Sequence, residues 1–203
     1  MAIRFNPDGM WQGETVAIIG AGPDMSADLA LKAKELKTIV VNRAIKFAPW
    51  ADMFIALDPH HPFWESAKDF KGLKIIGVDI DDYDDALYCG MLYERVIFDD
   101  RSIIEIRNNA LAAIRIAYRA GAKKIILLGF DPERYEEVHA YTGFRGLKQG
   151  LEQIIKELVS NGVVVERIDS EKQHKGTRPL KRGEVGKDEL IDVKTFPRRK
   201  ING

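Results

Sequence analysis

The chain has 203 residues, 45% of them hydrophobic and 31% charged, a balance that suits one domain with an appendage and is enough to bury a real core. No apolar run approaches the ~20 residues of a membrane span, and the first residues lack the apolar stretch of a signal peptide. One cysteine, Cys89, excludes an internal disulfide and a cysteine-built zinc site, so a reducing cytoplasm is the expected setting. Net charge is zero, but from Glu171 onward ten Lys/Arg face five Asp/Glu, leaving a slightly acidic body and a basic tail.

Residues before Gly13, including Pro7, Gly9 and Trp11, read as an irregular leader covering a sheet edge. Thr15–Ile19 is an apolar, β-branched run of the kind found in strands buried on both faces. It breaks into Gly20-Ala-Gly-Pro-Asp-Met-Ser26 and restarts as a helix over residues 26–36, capped by Asp24 or Ser26. A strand, a Gly-x-Gly turn and a helix start form an anion-binding corner. Gly20 and Gly22 let backbone N–H groups approach a phosphate, and the helix dipole favours negative charge there. The plainer alternative is a tight turn that binds nothing.

A dinucleotide fingerprint does not fit this corner. Met25 occupies the third glycine position, and Pro23 follows the second glycine directly. The next apolar run, Thr38–Val41, ends in Asn42, where the fingerprint needs an acid for the ribose hydroxyls.

Further strands are expected over Met53–Leu57, Lys74–Val78, Arg95–Phe98, Lys124–Leu128 and Val163–Ile168. Between them, residues 108–120 form an Ala/Ile-rich helix. Leu147, Leu151, Ile154, Ile155 and Leu158 keep a 3.6-residue period that Asn161-Gly162 ends. Such alternation predicts an α/β, Rossmann-like doubly wound fold, a mostly parallel sheet with helices on both faces. Residues 1–170 make one domain. Residues 171–203, punctuated by Gly176, Pro179, Gly183, Gly186 and Pro197, read as a basic irregular tail, either solvated or touching a polyanion such as nucleic acid.

Ligands of open parallel sheets bind beyond the carboxyl ends of the strands. The residues there are Gly20–Asp24, Asn42-Arg43, Asp58-Pro-His-His61, the aspartates 79, 81, 82, 84 and 85, and Gly129-Phe-Asp131, with His139 beyond. Each has a bland reading too. Asp58 and Asp131 precede prolines, as turn openers do. His60 and His61 point opposite ways if extended and would not share an ion. The aspartate run is a solvated loop or a holder of Mg²⁺. P-loop, nucleophile-elbow and His-Glu-x-x-His motifs are absent, which removes the familiar forms of phosphotransfer, serine hydrolysis and zinc peptidase chemistry.

Ile18-Ile-Gly-Ala-Gly-Pro-Asp-Met25 resembles the Gly-x-Gly-Pro-Ser-Leu corner of bacterial sialyltransferases of glycosyltransferase family 42. It also resembles the related domain of motility-associated-factor flagellin glycosyltransferases and archaeal 6-hydroxymethylpterin diphosphokinases. Trp50-Ala-Asp-Met-Phe-Ile-Ala-Leu-Asp-Pro59 is similar to the Pro-Asp-x-x-x-x-x-Asp-Pro strand of that second group. Ala120-Gly-Ala-Lys-Lys-Ile-Ile-Leu-Leu-Gly-Phe-Asp131, with His139-Ala140, is similar to its Gly-Ala-x-x-Ile-x-Leu-x-Gly-x-Asp…His-Ala region. Small phage and prophage proteins look much the same. The likeness spans roughly residues 13–168. Asp24 departs from the family serine; it would repel a phosphate oxygen, and it suits a helix cap.

The resemblance implies a transferase using a nucleotide-activated donor, first of all glycosyl transfer from a sugar nucleotide to a hydroxyl acceptor. Gly20, Gly22 and Pro23 would line the donor phosphate, Asn42 and Asp58 would hold ribose or base, and His139 with Asp131 would serve the acceptor, the imidazole as general base. Diphosphate transfer from ATP to a pterin-like acceptor is the alternative and would use Mg²⁺ on carboxylates such as Asp58 or Asp131. A nucleotide-binding protein without catalysis is a third reading. No dedicated protein metal site and no membrane partner are expected, and assembly as a homo-oligomer stays open.

Overall fold

A computed structural model describes residues 5–22, 25–57, 63–76, 86–88, 91–92, 95–97, 103–104, 108–130, 147–168 and 191–192. The central strand is β1 (Thr15–Ile19), with β2 (Lys37–Val41) on one side and β9 (Lys124–Leu128) on the other, both parallel to it. The sheet continues outward through β3 (Met53–Ile55), β4 (Leu73–Ile76) and β5 (Ala86–Tyr88), all parallel. On the other flank β10 (Val164–Ile168) is parallel to β9, and the edge strand β11 (Ile191–Asp192) is antiparallel to β10. The order is thus β11-β10-β9-β1-β2-β3-β4-β5, an 8-stranded sheet.

Alternating side chains sort the sheet's two faces. Val16 and Ile18 of β1, Ile39 and Val41 of β2, Met53 and Ile55 of β3, and Ile125 and Leu127 of β9 belong to one core. Ala17, Ile19, Val40, Phe54, Ile126 and Leu128 belong to the other. This is the two-residue period of a pleated strand, apolar on both sides because both sides are covered. The first face is covered by α3 (Asn109–Arg119) and α4 (Leu147–Ser160), with Trp11 packed beside them. The second is covered by α1 (Ala27–Leu31), a 3-10 turn over Asn42–Lys46, and the region of α2 (Phe63–Ser66), where Trp64 meets Phe54 edge-on at 5.3 Å. Helices on both faces of a mostly parallel sheet make the fold Rossmann-like and doubly wound, as the alternation of elements predicts.

Several local readings hold. Ser26 caps α1, its side chain accepting from the Leu29 N–H, and Asn108 caps α3 by accepting from Ala110 N–H at 2.7 Å. Regular α-helix stops at Leu31, but bonds three residues back, from Lys32, Ala33, Lys34 and Leu36, carry the coil on to residue 36.

Others need correction. Arg95–Ile97 is β7 of a separate antiparallel sheet, β6-β7-β8, with β6 (Met91–Leu92) and β8 (Ile103–Ile104), and is not a member of the parallel sheet. A three-residue apolar run carries no period with which to tell the two apart. The described part of the leader packs on the end of α3, where a sheet edge was expected. Gly9, Trp11 and Gly13 donate to the carbonyls of Arg119, Ala120 and Gly121, and Arg119 donates from Nε and Nη2 to the two carboxylate oxygens of Asp8. It therefore satisfies carbonyls that the end of α3 leaves open. Of the tail, the described residues Ile191 and Asp192 form a strand paired with β10, against the irregular reading there.

Candidate functional site

The chain runs outward from β1 to β5, then returns through α3 across the other face to β9, on β1's opposite side. The strand order therefore reverses between β1 and β9, and a doubly wound sheet opens its crevice at such a point, outside the carboxyl ends. Ile19 is level with Val40 and Leu128, and Val41 with Ile55. The residues that follow, Gly20, Asn42, Ala56-Leu57 and Gly129, thus gather along one edge.

At the switch point the turn after β1 packs directly on the turn after β9. Gly20 N–H donates to the Leu128 carbonyl at 2.8 Å and Gly22 N–H to the Gly129 carbonyl at 3.1 Å. A Cβ on Gly22 would lie 2.5 Å from the Gly129 oxygen, and one on Gly20 would lie 2.9 Å from the same atom. Gly129 itself has φ +68°, and a Cβ there would meet the Gly20 oxygen at 2.8 Å. The glycines thus have a packing reason to be glycine, and two N–H groups expected to face a phosphate are bonded within the protein. The intervening Ala21 N–H has no partner among the described residues.

Beside this turn lies a chain of amides. Leu57 N–H donates to Asn109 Oδ1 at 3.3 Å, and Asn109 Nδ2 donates to Asn42 Oδ1 at 2.6 Å. Three elements meet there: the end of β2, the segment after β3 and the first turn of α3. Asn42 has φ +52°, the one described non-glycine residue in the left-handed region. Asparagine tolerates that region better than most residues, yet such outliers persist only where surrounding contacts hold them.

Among the described residues, the groups flanking this edge are basic or dipolar. The first turn of α3 carries no acidic residue, so the dipole at its N-terminus is not offset locally. Arg43 and Lys46 are exposed on the 3-10 turn that starts at Asn42, and the Lys46 ammonium sits 4.7 Å from the centre of the Phe47 ring. No group of three or more His, Cys, Asp or Glu among the described residues is placed to hold a metal ion.

Of the expected site residues, Gly20, Gly22 and Asn42 come together at this edge. Pro23, Asp58, Asp131 and His139 lie outside the described residues, as do the aspartates 79–85, His60, His61 and Cys89. Gly129, placed by the sequence at a strand end without a role of its own, packs into the site, and Asn109 joins it without having been singled out in the sequence. The paired Asn108-Asn109 was visible as a helix start, where one asparagine suffices for the cap. The second marked a further polar role.

No protein-family model matches this chain, and no curated protein is similar to it in sequence. Among solved structures it is similar to a probable thiamine pyrophosphokinase from Staphylococcus saprophyticus subsp. saprophyticus, at 13% identity with a TM-score of 0.42, over 77% of this chain and 65% of that one. The chain thus spans just under two thirds of that protein's length. Among the described residues no helix is long and apolar enough to cross a membrane.

Proposed function

We propose that this protein is a transferase that uses a nucleotide-activated donor, bound in the crevice between the carboxyl ends of β1, β2 and β9. The observation that carries the reading is the convergence of the Gly20–Gly22 turn, the Asn42–Asn109 amide pair and the start of α3 at the topological switch point. Exposed Arg43 and Lys46 and the dipole of α3 favour an anionic ligand there. The resemblance of three sequence motifs to nucleotide-dependent transferases supplies the reaction class. His139 and Asp131 are proposed to serve the acceptor, the histidine as general base.

Two donor chemistries fit. One is a sugar nucleotide giving up its glycosyl group; the other is ATP giving up a diphosphate, with Mg²⁺ held by carboxylates such as Asp58 or Asp131. The Trp50–Pro59 and Ala120–Asp131 stretches resemble a group that contains both kinds of enzyme, so the two are separated by experiment. Thermal unfolding with CMP-, UDP- and GDP-sugars and with ATP, each with and without Mg²⁺, makes that separation. One ligand at 100 times its Kd stabilises the fold by ~2.7 kcal/mol. A shift with a sugar nucleotide irrespective of metal supports glycosyl transfer, and a shift with ATP only in the presence of Mg²⁺ supports diphosphate transfer. No shift with any nucleotide rejects the proposal.

With the donor known, His139→Ala is expected to lower the transfer rate ~10²–10⁴-fold with donor Kd nearly unchanged, the usual share of general base catalysis. Full activity in that variant removes His139 from the mechanism.

A further inference from the structure

We infer that Asn109 is a positioning residue that locks the Asn42 side chain as a hydrogen-bond donor, so that the ligand group received at the end of β2 is an acceptor oxygen. The inference rests on the nucleotide reading above and deepens it. Its logic is a matter of direction. A backbone N–H only donates, so the bond from Leu57 fixes the Asn109 oxygen toward the strand segment. The Asn109 amide nitrogen is then the end that faces Asn42, at 2.6 Å, and the Asn42 oxygen is the atom that receives it. What remains for a ligand is the Asn42 Nδ2, whose N–H groups have no partner among the described residues. The bond from Asn109 is one of the contacts that hold Asn42 in its left-handed backbone conformation at the sheet edge.

Such an amide is the reverse of the acid found at this place in dinucleotide folds, which accepts from ribose hydroxyls. An N–H pair left without a protein partner instead meets a phosphate oxygen or a base carbonyl oxygen. Either source has the same chemistry, and the basic side chains of Arg43 and Lys46 on the same turn agree with it.

Isothermal titration with CMP, UMP, GMP and AMP and with the four parent nucleosides tests the inference in the wild type, Asn42→Asp, Asn109→Ala and the double variant. Aspartate tolerates a positive φ and can still accept from Asn109, so Asn42→Asp preserves the backbone while replacing the outward donor by an acceptor. It should weaken the favoured nucleotide at least about tenfold, the size of one lost bond to a charged group. Asn109→Ala should weaken the same ligand severalfold, with little further loss when added to Asn42→Asp, because it acts through Asn42. A loss confined to the nucleotides places the acceptor on phosphate, and a loss shared by the nucleosides places it on the base. A merely structural role would lower the melting temperature without this dependence on residue 42. Binding that is unchanged or tighter in Asn42→Asp overturns the inference while leaving a nucleotide site standing. If the wild type binds none of the eight compounds but is stabilised by a sugar nucleotide or by Mg²⁺-ATP, the same four proteins are compared with that ligand; if it binds none of these either, the nucleotide reading falls and the inference falls with it.

Discussion

A single carbonyl, that of Gly129, decides what the turn after β1 can carry. It accepts from Gly22 N–H and lies where a side chain on either Gly20 or Gly22 would begin. Gly22→Ala must push the two turns apart, and we expect it to cost about 1–3 kcal/mol, the usual size of overpacking in a well-packed site. Gly129→Ala should cost at least as much, since it adds a Cβ 2.8 Å from the Gly20 oxygen to a backbone at φ +68°. Chemical denaturation of each variant checks both values. Melting like that of the wild type would mean the turns are free to separate. Loss of binding in a Gly22 variant therefore has to be read against its stability. The sequence marked Gly20 and Gly22 as special, but the atom they avoid belongs to the turn after β9, far along the chain. Local reading cannot see that contact. Asn42 was legible for the same reason as the glycines, since it ends a strand; Asn109 was not, because its partners come from two other elements.

Among the elements, α3 and α4 are joined by a pair that hydrophobic patterning does not reveal. Arg115, 7% exposed, donates through both guanidinium arms to Glu157. Those hydrogen bonds, and then the guanidinium charge, outweigh burial and hold the Glu157 carboxyl below the usual carboxylate range. A carboxyl depressed in the folded state adds stability above its unfolded pKa of ~4.3, and that stability is lost as pH falls through the lower folded value. Glu157→Gln should therefore cost stability at pH 7 and progressively less as the pH is taken below 4; an equal cost at both ends would show that the charge does not matter. Glu157→Ala leaves a buried cation without its partner and should cost about 1–3 kcal/mol, whereas Arg115→Met with Glu157→Leu should be near neutral. Element by element, β1, β2, β9, β10, α3 and α4 were legible, being long enough to carry a period. The shorter β3, β4 and β7 were legible as apolar runs, though not the separate sheet to which β7 belongs; β5, β6, β8 and α2 were not, because two to four residues define no period and their neighbours decide their pairing.

For the whole molecule, the doubly wound sheet does two things at once: it buries apolar side chains on both faces and opens one polar edge at the β1–β9 reversal. Among the described residues the tail contributes Ile191 and Asp192 to the sheet, paired with Arg167 and Glu166. Truncation after Ser170 should leave a cooperatively folding domain, with β10 now an open edge more prone to association. Differential scanning calorimetry with light scattering would follow both, and collapse of the transition would assign the tail to the folding unit. Retained melting with lost binding to a polyanion would assign the tail a contact of its own. The most direct test of a nucleotide-activated donor at the switch point is amide chemical-shift mapping of the full chain titrated with CMP-, UDP- and GDP-sugars and with Mg²⁺-ATP. Saturable shifts with one of them should centre on Ala21, Asn42, Asn109 and Gly129, together along one edge of the sheet. Saturable shifts centred elsewhere, or none with any of the four, would contradict the account.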